Sequence, residues 1–240
     1  MFPLRDSVPT RSVPVVTRAL ILINAIVFFF ELALPQEALE NFFYLFGIVP
    51  ARLIHPDWAS ASGFLGGAYV TLLTHQFLHG GWLHIISNMW ALWIFGDNVE
   101  DHMGPVRFAV FYLMCGVLAA LTHTLMQPDS TVPSVGASGA IAGVLGAYLL
   151  FYPTARIVVL LPILFFPFFF ELPAVLYLGF WFWTQLFSGT LALVRPDQAG
   201  GIAFWAHVGG FVAGMLLCHP FARRRRRLQR DEYGLEYAWR

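Results

Sequence analysis

The chain has 240 residues, of which 58% are hydrophobic, 17% aromatic and 12% charged, with fourteen basic and fourteen acidic side chains in balance. Soluble domains carry about 25% charged residues, so this composition counts against soluble, disordered and fibrous classes and points to an all-α, polytopic membrane protein. Every basic residue is arginine, and six of them (Arg223 to Arg227 and Arg230) adjoin an apolar segment instead of an aromatic-studded basic face, which gives no footing for a nucleic-acid partner.

In chain order, residues 1–18 carry Arg5, Arg11 and Arg18 and read as a cytoplasmic tail. The apolar run that follows lacks a small-residue cleavage site after Leu34 and is expected to be a retained first span. Six helical spans are predicted near 19–35, 82–97, 106–127, 136–152, 172–190 and 202–219. Between the first two, residues 36–80 mix proline, charge and apolar side chains such as Phe42, Phe43 and Trp58, and are expected outside, partly in the interface. Asp97, Glu100 and Asp101 make the turn after span two acidic. The stretch 157–170 is apolar but holds Pro162 and Pro167, so it reads as an irregular or interfacial connection and not as a span. Cys115 and Cys218 lie in apolar runs and read as lipid- or core-facing thiols. Residues 222–240 form an arginine-rich tail, read either as a topological anchor or as an anionic-lipid contact. Arginines at both ends place both termini in the cytoplasm, which requires an even number of crossings and so favours six.

Polar groups inside spans are costly and mark function by default. The candidates are His84 and Asn88 in span two, Ser138 in span four and His207 in span six, and His84, Ser138 and His207 all fall within roughly 10 Å of the outer ends of their helices, at 1.5 Å per residue. Ser138 sits in Gly136-Ala137-Ser138-Gly139 with Gly143 following, and His207 precedes Gly209-Gly210 and Gly214. Such small-residue faces let helix backbones approach closely, which is what a hydroxyl and an imidazole need to reach hydrogen-bond distance. His84 and Asn88 are one turn apart on one face, so two side-chain donors converge where an oxyanion of acyl transfer would form, with the backbone N–H of Ser138 as a further donor.

The segments HGGWLHIISN, FGDNVEDHMGPVRFAVFYLMCG, GASGAIAG and AHVGGFVAG, in this order, closely resemble the rhomboid family of intramembrane serine proteases. The resemblance covers roughly 19–221 and implies a six-transmembrane-helix rhomboid-like bundle, with residues 1–18 and 222–240 as tails. It makes Ser138 the nucleophile, His207 the general base, and His84 and Asn88 the oxyanion-binding side chains, while His79 matches a family histidine of structural or water-binding character. It further implies no cofactor and no metal, single-span transmembrane protein substrates, a lipid environment and a multi-pass plasma-membrane location. Two positions depart from the pattern. Ala142 stands where some members carry an aromatic residue stacked on the base, and Arg52 and Trp58 are not adjacent as in some first outer loops. In the expected reaction neutral His207 takes the Ser138 proton as the hydroxyl attacks the scissile carbonyl, and water hydrolyses the acyl-enzyme. Glu31 and Glu171 receive no catalytic role. Span five, with Tyr177, Phe180, Trp181, Phe182, Trp183 and Phe187, reads either as a lateral substrate gate capped by residues 190–201 or as a lipid-facing aromatic belt.

Three rival readings stand beside this one. His75, His79, His84 and His102 suggest a metal site, although their spacing matches no common one. A channel would need polar residues through the whole bilayer, whereas here they gather in one leaflet. A relative that binds membrane clients without cutting would use the same lateral opening.

Overall fold

In the computed structural model residues 2–64, 66–163, 166–194, 202–223, 228–230 and 236–238 are described. Strand β1 (Phe2–Asp6) precedes α1 (Val15–Ala33), which starts after Pro14 and stops ahead of Pro35. Short helices α2 (Gln36–Phe46), α3 (Pro50–Ile54), α4 (Pro56–Ala61) and α5 (Thr71–Thr74) fill the connection to α6 (Trp82–Met103). Gly104, at φ +84°, turns the chain straight into α7 (Pro105–Met126), whose first residue is a proline that has no N–H to leave unpaired. Then follow α8 (Ser138–Phe151), β2 (Arg156–Ile163), β3 (Phe166–Pro173), α9 (Ala174–Val194), α10 (Phe204–Phe221) and a pair β4 (Leu228–Arg230) and β5 (Glu236–Ala238). By length and composition, α1, α7 and α10 are long and apolar enough to cross a membrane, and α8 is a shorter apolar helix.

Helix α8 is the axis of the bundle. Its residues from Gly139 to Tyr148 are all buried. It can be enclosed so tightly because glycine removes the side chains that would hold neighbouring backbones apart. A Cβ on Gly210 would overlap the Gly139 carbonyl, one on Gly214 the Gly143 carbonyl, and one on Gly146 the Phe211 carbonyl. On its α7 side, Gly139 and Gly143 receive Ala119 and Cys115. Both cysteines are buried free thiols.

The first turn of α1 has backbone N–H groups without partners in their own helix. Glu100 of α6, 1% exposed, satisfies them, accepting from Val16 N at 2.9 Å, Thr17 N at 2.7 Å and Thr17 Oγ1 at 2.8 Å. The acidic residues expected to form a turn after residue 97 are helical instead: α6 runs on to Met103 and carries Glu100 to the start of α1.

Two other expectations change. Residues 157–170 are not irregular: β2 and β3 form an antiparallel hairpin with Pro162 facing Pro167 near its tip, where missing donors do least harm to the ladder. The first eighteen residues are not simply a tail, because β1 pairs antiparallel with β2 from Phe2↔Leu160 to Asp6↔Ile157. Trp90 Nε1 donates to Pro3 O at 2.6 Å, Asn98 Nδ2 to Asp6 Oδ2 at 2.8 Å, and the Tyr148 hydroxyl to the same Asp6 oxygen. Thr10 and Ser12 extend the attachment by donating to Asp97 and Asp101.

The ends of α6, α8 and α10 gather at one pole. His102 stacks on Phe151 at 3.9 Å between ring centroids, Phe151 meets His219, and Arg223 N donates to His102 O. The start of α1 sits at this pole too, through Glu100. The starts of α6, α8 and α10 therefore lie at the opposite pole. Of the arginine run, residues 224–227 lie outside the described residues, as do residues 195–201 of the connection expected to act as a cap.

Candidate active site

The loop before α8 is pinned on both sides. Ile48 and Ser134 exchange backbone hydrogen bonds at 2.9 and 2.7 Å, and Gly136 N donates to His75 O at 2.9 Å. Gly136 takes φ +132°, open to glycine, and delivers Ser138 to the first position of α8. Backbone N–H groups at that position lack a partner within the helix.

His207 lies in the first turns of α10, where the glycine contacts hold α10 against α8. Its Nε2 is 2.8 Å from Ser138 Oγ, and its Nδ1 is 2.8 Å from Gln185 Oε1 of α9. A side-chain carbonyl only accepts. Nδ1 therefore donates to Gln185, and Nε2 is left to accept the Ser138 hydroxyl proton. Trp181 lies beside the imidazole with ring centroids 6.0 Å apart, and Phe204 approaches edge-on.

His84 faces the same place from α6. Gly80 N donates to its Nδ1 at 3.3 Å, which puts the ring proton on Nε2. The position a Cβ of Gly136 would take is 2.6 Å from His84 Nε2 and 3.7 Å from Ser138 Oγ. The missing side chain of Gly136 thus leaves open the space between the donor and the hydroxyl. Asn88 is 5% exposed and donates to His84 O at 3.0 Å, so one amide hydrogen is engaged on its own helix. Ser138, His207, His84, Asn88 and Gly136 all line one cavity of about 480 Å³.

The remaining polar residues separate by place. His79 is buried with its ring edge-on to His84 at 5.0 Å, and its backbone N–H donates to Glu31 of α1. Glu171 pairs with Arg156 on the hairpin at 3.1 Å. Arg52 donates to Tyr44 O and Leu45 O at the end of α2 and to Gly66 O, with its guanidinium over Phe64, the ring that Trp58 also approaches. His102, stacked on Phe151 at the far pole, cannot join His75, His79 and His84 around one ion. On α9 the aromatic residues divide between two faces. Phe180, Trp183 and Phe187 stack into an exposed ladder, while Phe182 stacks on Phe211 at 4.6 Å and Trp181 faces His207.

Gln185 has no place among the residues expected from sequence. Its signal was present: the one amide side chain in the mostly aromatic and apolar run 174–194, one turn beyond Trp181, which the cost of intramembrane polar groups marks as notable. It also bears on the departure at Ala142, since the aromatic rings beside His207, Trp181 and Phe204, come from α9 and α10 and not from α8.

Comparison with known proteins bears on this geometry. The profile of the Rhomboid domain matches residues 63–224. Rhomboid protein 1, mitochondrial, of Saccharomyces cerevisiae is 30% identical over 175 residues, covering 67% of this chain and 45% of the relative. RHOMBOID-like protein 5 of Arabidopsis thaliana is 38% identical over 78 residues, 32% of this chain and 25% of the relative. The Rhomboid protease GluP of Bacillus subtilis is 42% identical over 83 residues, 35% of this chain and 16% of the relative. The chain thus spans less than half the length of each of these three relatives. With the domain profile taking in most of its length and every motif around the cavity inside the match, the chain is a membrane protein of the rhomboid family.

Proposed function

We propose that this protein is an intramembrane serine endopeptidase that cleaves transmembrane substrate proteins near the outer membrane surface. The observation that carries the reading is the 2.8 Å hydrogen bond between His207 Nε2 and Ser138 Oγ on the wall of a cavity that His84 and Asn88 also line. Six spans make up the core: α1 and α6 to α10. The plasma membrane, with both termini cytoplasmic, is the proposed location. Support comes from the shared pole of the α1 start and the α10 end, and from the arginines that flank both.

In this reaction His207 Nε2 accepts the Ser138 proton as Oγ attacks the scissile carbonyl. The carbonyl oxygen becomes an oxyanion in the space left by Gly136, held by His84 Nε2–H, the Asn88 amide and the Ser138 backbone N–H. The imidazolium then gives its proton to the leaving amine. Water, again deprotonated by His207, hydrolyses the ester and restores Ser138. Substrates are single-span proteins whose helix unwinds readily near the outer surface, because a helical carbonyl is already bonded within its own backbone. Entry is lateral, past α9.

The test is reconstitution in lipid with a single-span reporter, comparing wild type with Ser138→Ala, His207→Ala and His84→Ala. Cleavage is expected to vanish in the first two. Loss of the His84 donor is expected to slow the reaction about 10²- to 10³-fold, ~2.7–4 kcal/mol. Cleavage by Ser138→Ala at the wild-type rate would end the proposal, and full biological activity of that variant without cleavage would favour client binding.

A further inference from the structure

His207 is held, on the side away from Ser138, by a group that the reaction above leaves without a task. Gln185 Oε1 lies 2.8 Å from His207 Nδ1. The other end of the same amide is occupied: Gln185 Nε2 donates to Thr184 Oγ1 at 3.1 Å and toward Trp181 O at 3.4 Å. Thr184 Oγ1 is free to accept because its own hydroxyl proton goes to Trp181 O at 2.6 Å. These partners decide which end of the amide meets the imidazole. They leave the carbonyl facing Nδ1, and a carbonyl demands a proton there.

We propose that Gln185 is a positioning residue: its side-chain carbonyl holds His207 in the Nδ1–H tautomer and aims the Nε2 lone pair at the Ser138 hydroxyl. The proposal rests on the Ser138–His207 reading given above and extends it to a third group. In the other tautomer Nε2 carries the proton and cannot take one from serine, however short the distance. A neutral amide does this work without placing a second charge in an apolar bundle, where an ionised carboxylate is costly to desolvate. Trp181 shares the inward face of α9 with Gln185, one turn apart, so ring plane and tautomer are set from one helix.

The experiment uses the full chain in lipid bicelles. A fluorophosphonate reports the labelling rate of Ser138, and a single-span reporter gives kcat and KM across pH. Wild type, Gln185→Met, Gln185→Glu and Ser138→Ala are compared, each checked by thermal unfolding. Gln185→Met, which keeps the length and removes the acceptor, is expected to lower kcat and labelling about 10- to 100-fold, the range found when the outer hydrogen-bond partner of a metal-bound histidine is lost, with KM changed less than about threefold. Gln185→Glu restores an acceptor. Its expected result is recovery to within about tenfold of wild type, with the acidic limb of the kcat/KM profile moved to higher pH, because a carboxylate favours the imidazolium. Wild-type kcat in Gln185→Met, or a Gln185→Glu variant as slow as Gln185→Met with an unmoved profile, overturns the proposal. Should Gln185→Met fail to fold, the profile of Gln185→Glu decides alone: a shift upward supports the positioning role and an unmoved limb overturns it. Labelling and cleavage that survive Ser138→Ala would overturn the dyad instead, whatever Gln185 does.

Discussion

Two helices reach His207 and Ser138, and they are held in different ways. α10 lies against α8 backbone to backbone, with Gly210 and Gly214 over the carbonyls of Gly139 and Gly143. α9 is 21 residues long but buries only Ala174, Leu178, Gly189 and Ala192, and turns the Phe180, Trp183 and Phe187 ladder outward. The contacts of α9 with α10 run through side chains, such as Phe182 on Phe211 and Trp205 Nε1 to Gly189 O. The separation of serine and histidine is therefore set by backbone packing, which has no slack. The orientation of the histidine is set by a helix attached along one stripe. Distance and orientation are thus assigned here to helices packed in different ways.

Substitutions that load one contact at a time test this contrast. The largest effect is expected from Gly214→Val. Its side chain has no room against Gly143, so the seam must open at a cost of about 3 kcal/mol, the upper range for overpacking, and labelling of Ser138 should be lost. Thermal unfolding together with labelling measures both, and an active, stable Gly214→Val would show that the seam has play. Next is Phe182→Ala, which removes the stack on Phe211 and should cost about 1.5 kcal/mol. If the two helices act separately, this variant loses hydrogen-exchange protection in α9 while α8 and α10 keep theirs.

A smaller effect is expected at the other pole, where β1 hangs on Asp6. Burial, together with the negative charge of Asp97, outweighs the Tyr148 hydrogen bond and raises the Asp6 carboxyl from 3.8 to about 6. A raised carboxyl binds its proton more tightly in the folded state. The attachment of β1 is therefore strongest below about pH 4 and weakens as pH rises through about 6. Protease access to residues 2–6 should increase between pH 4.5 and 7.5, and Asp6→Asn should remove that dependence. The smallest effect is expected from Trp183→Ala on the exposed ladder, within about 0.5 kcal/mol in unfolding. A larger loss would mean that α9 is fixed from its outer face as well.

Much of this architecture is legible in the residues themselves. Proline and glycine mark the limits of α1, α6 and α7, and the small-residue faces of Gly139, Gly143, Gly210 and Gly214 announce which two helices meet. The spacing of His84 and Asn88 places them on one face of α6. Other features depend on partners far away in the chain. Nothing local to Asp97, Glu100 and Asp101 reveals that a helix continues through them or that Glu100 meets the unpaired start of α1, more than eighty residues earlier. The prolines at 162 and 167 forbid a helix, yet they do not disclose that each will face the other across a hairpin. Gln185 was visible as an oddity of composition, but its partner could be known only once α9 was set beside α10.

The pairing of β1 with β2 carries a consequence for how the chain is made. Phe2 to Asp6 meet partners about 150 residues downstream. At 5–20 residues per second that is roughly eight to thirty seconds of synthesis. During this time β1 waits with its ladder unfilled, and α1, α6, α7 and α8 are all synthesised before the strand that completes it. Closing that sheet accordingly comes late, after α8 has been made, so the pairing that holds β1 is among the last contacts of the fold to form.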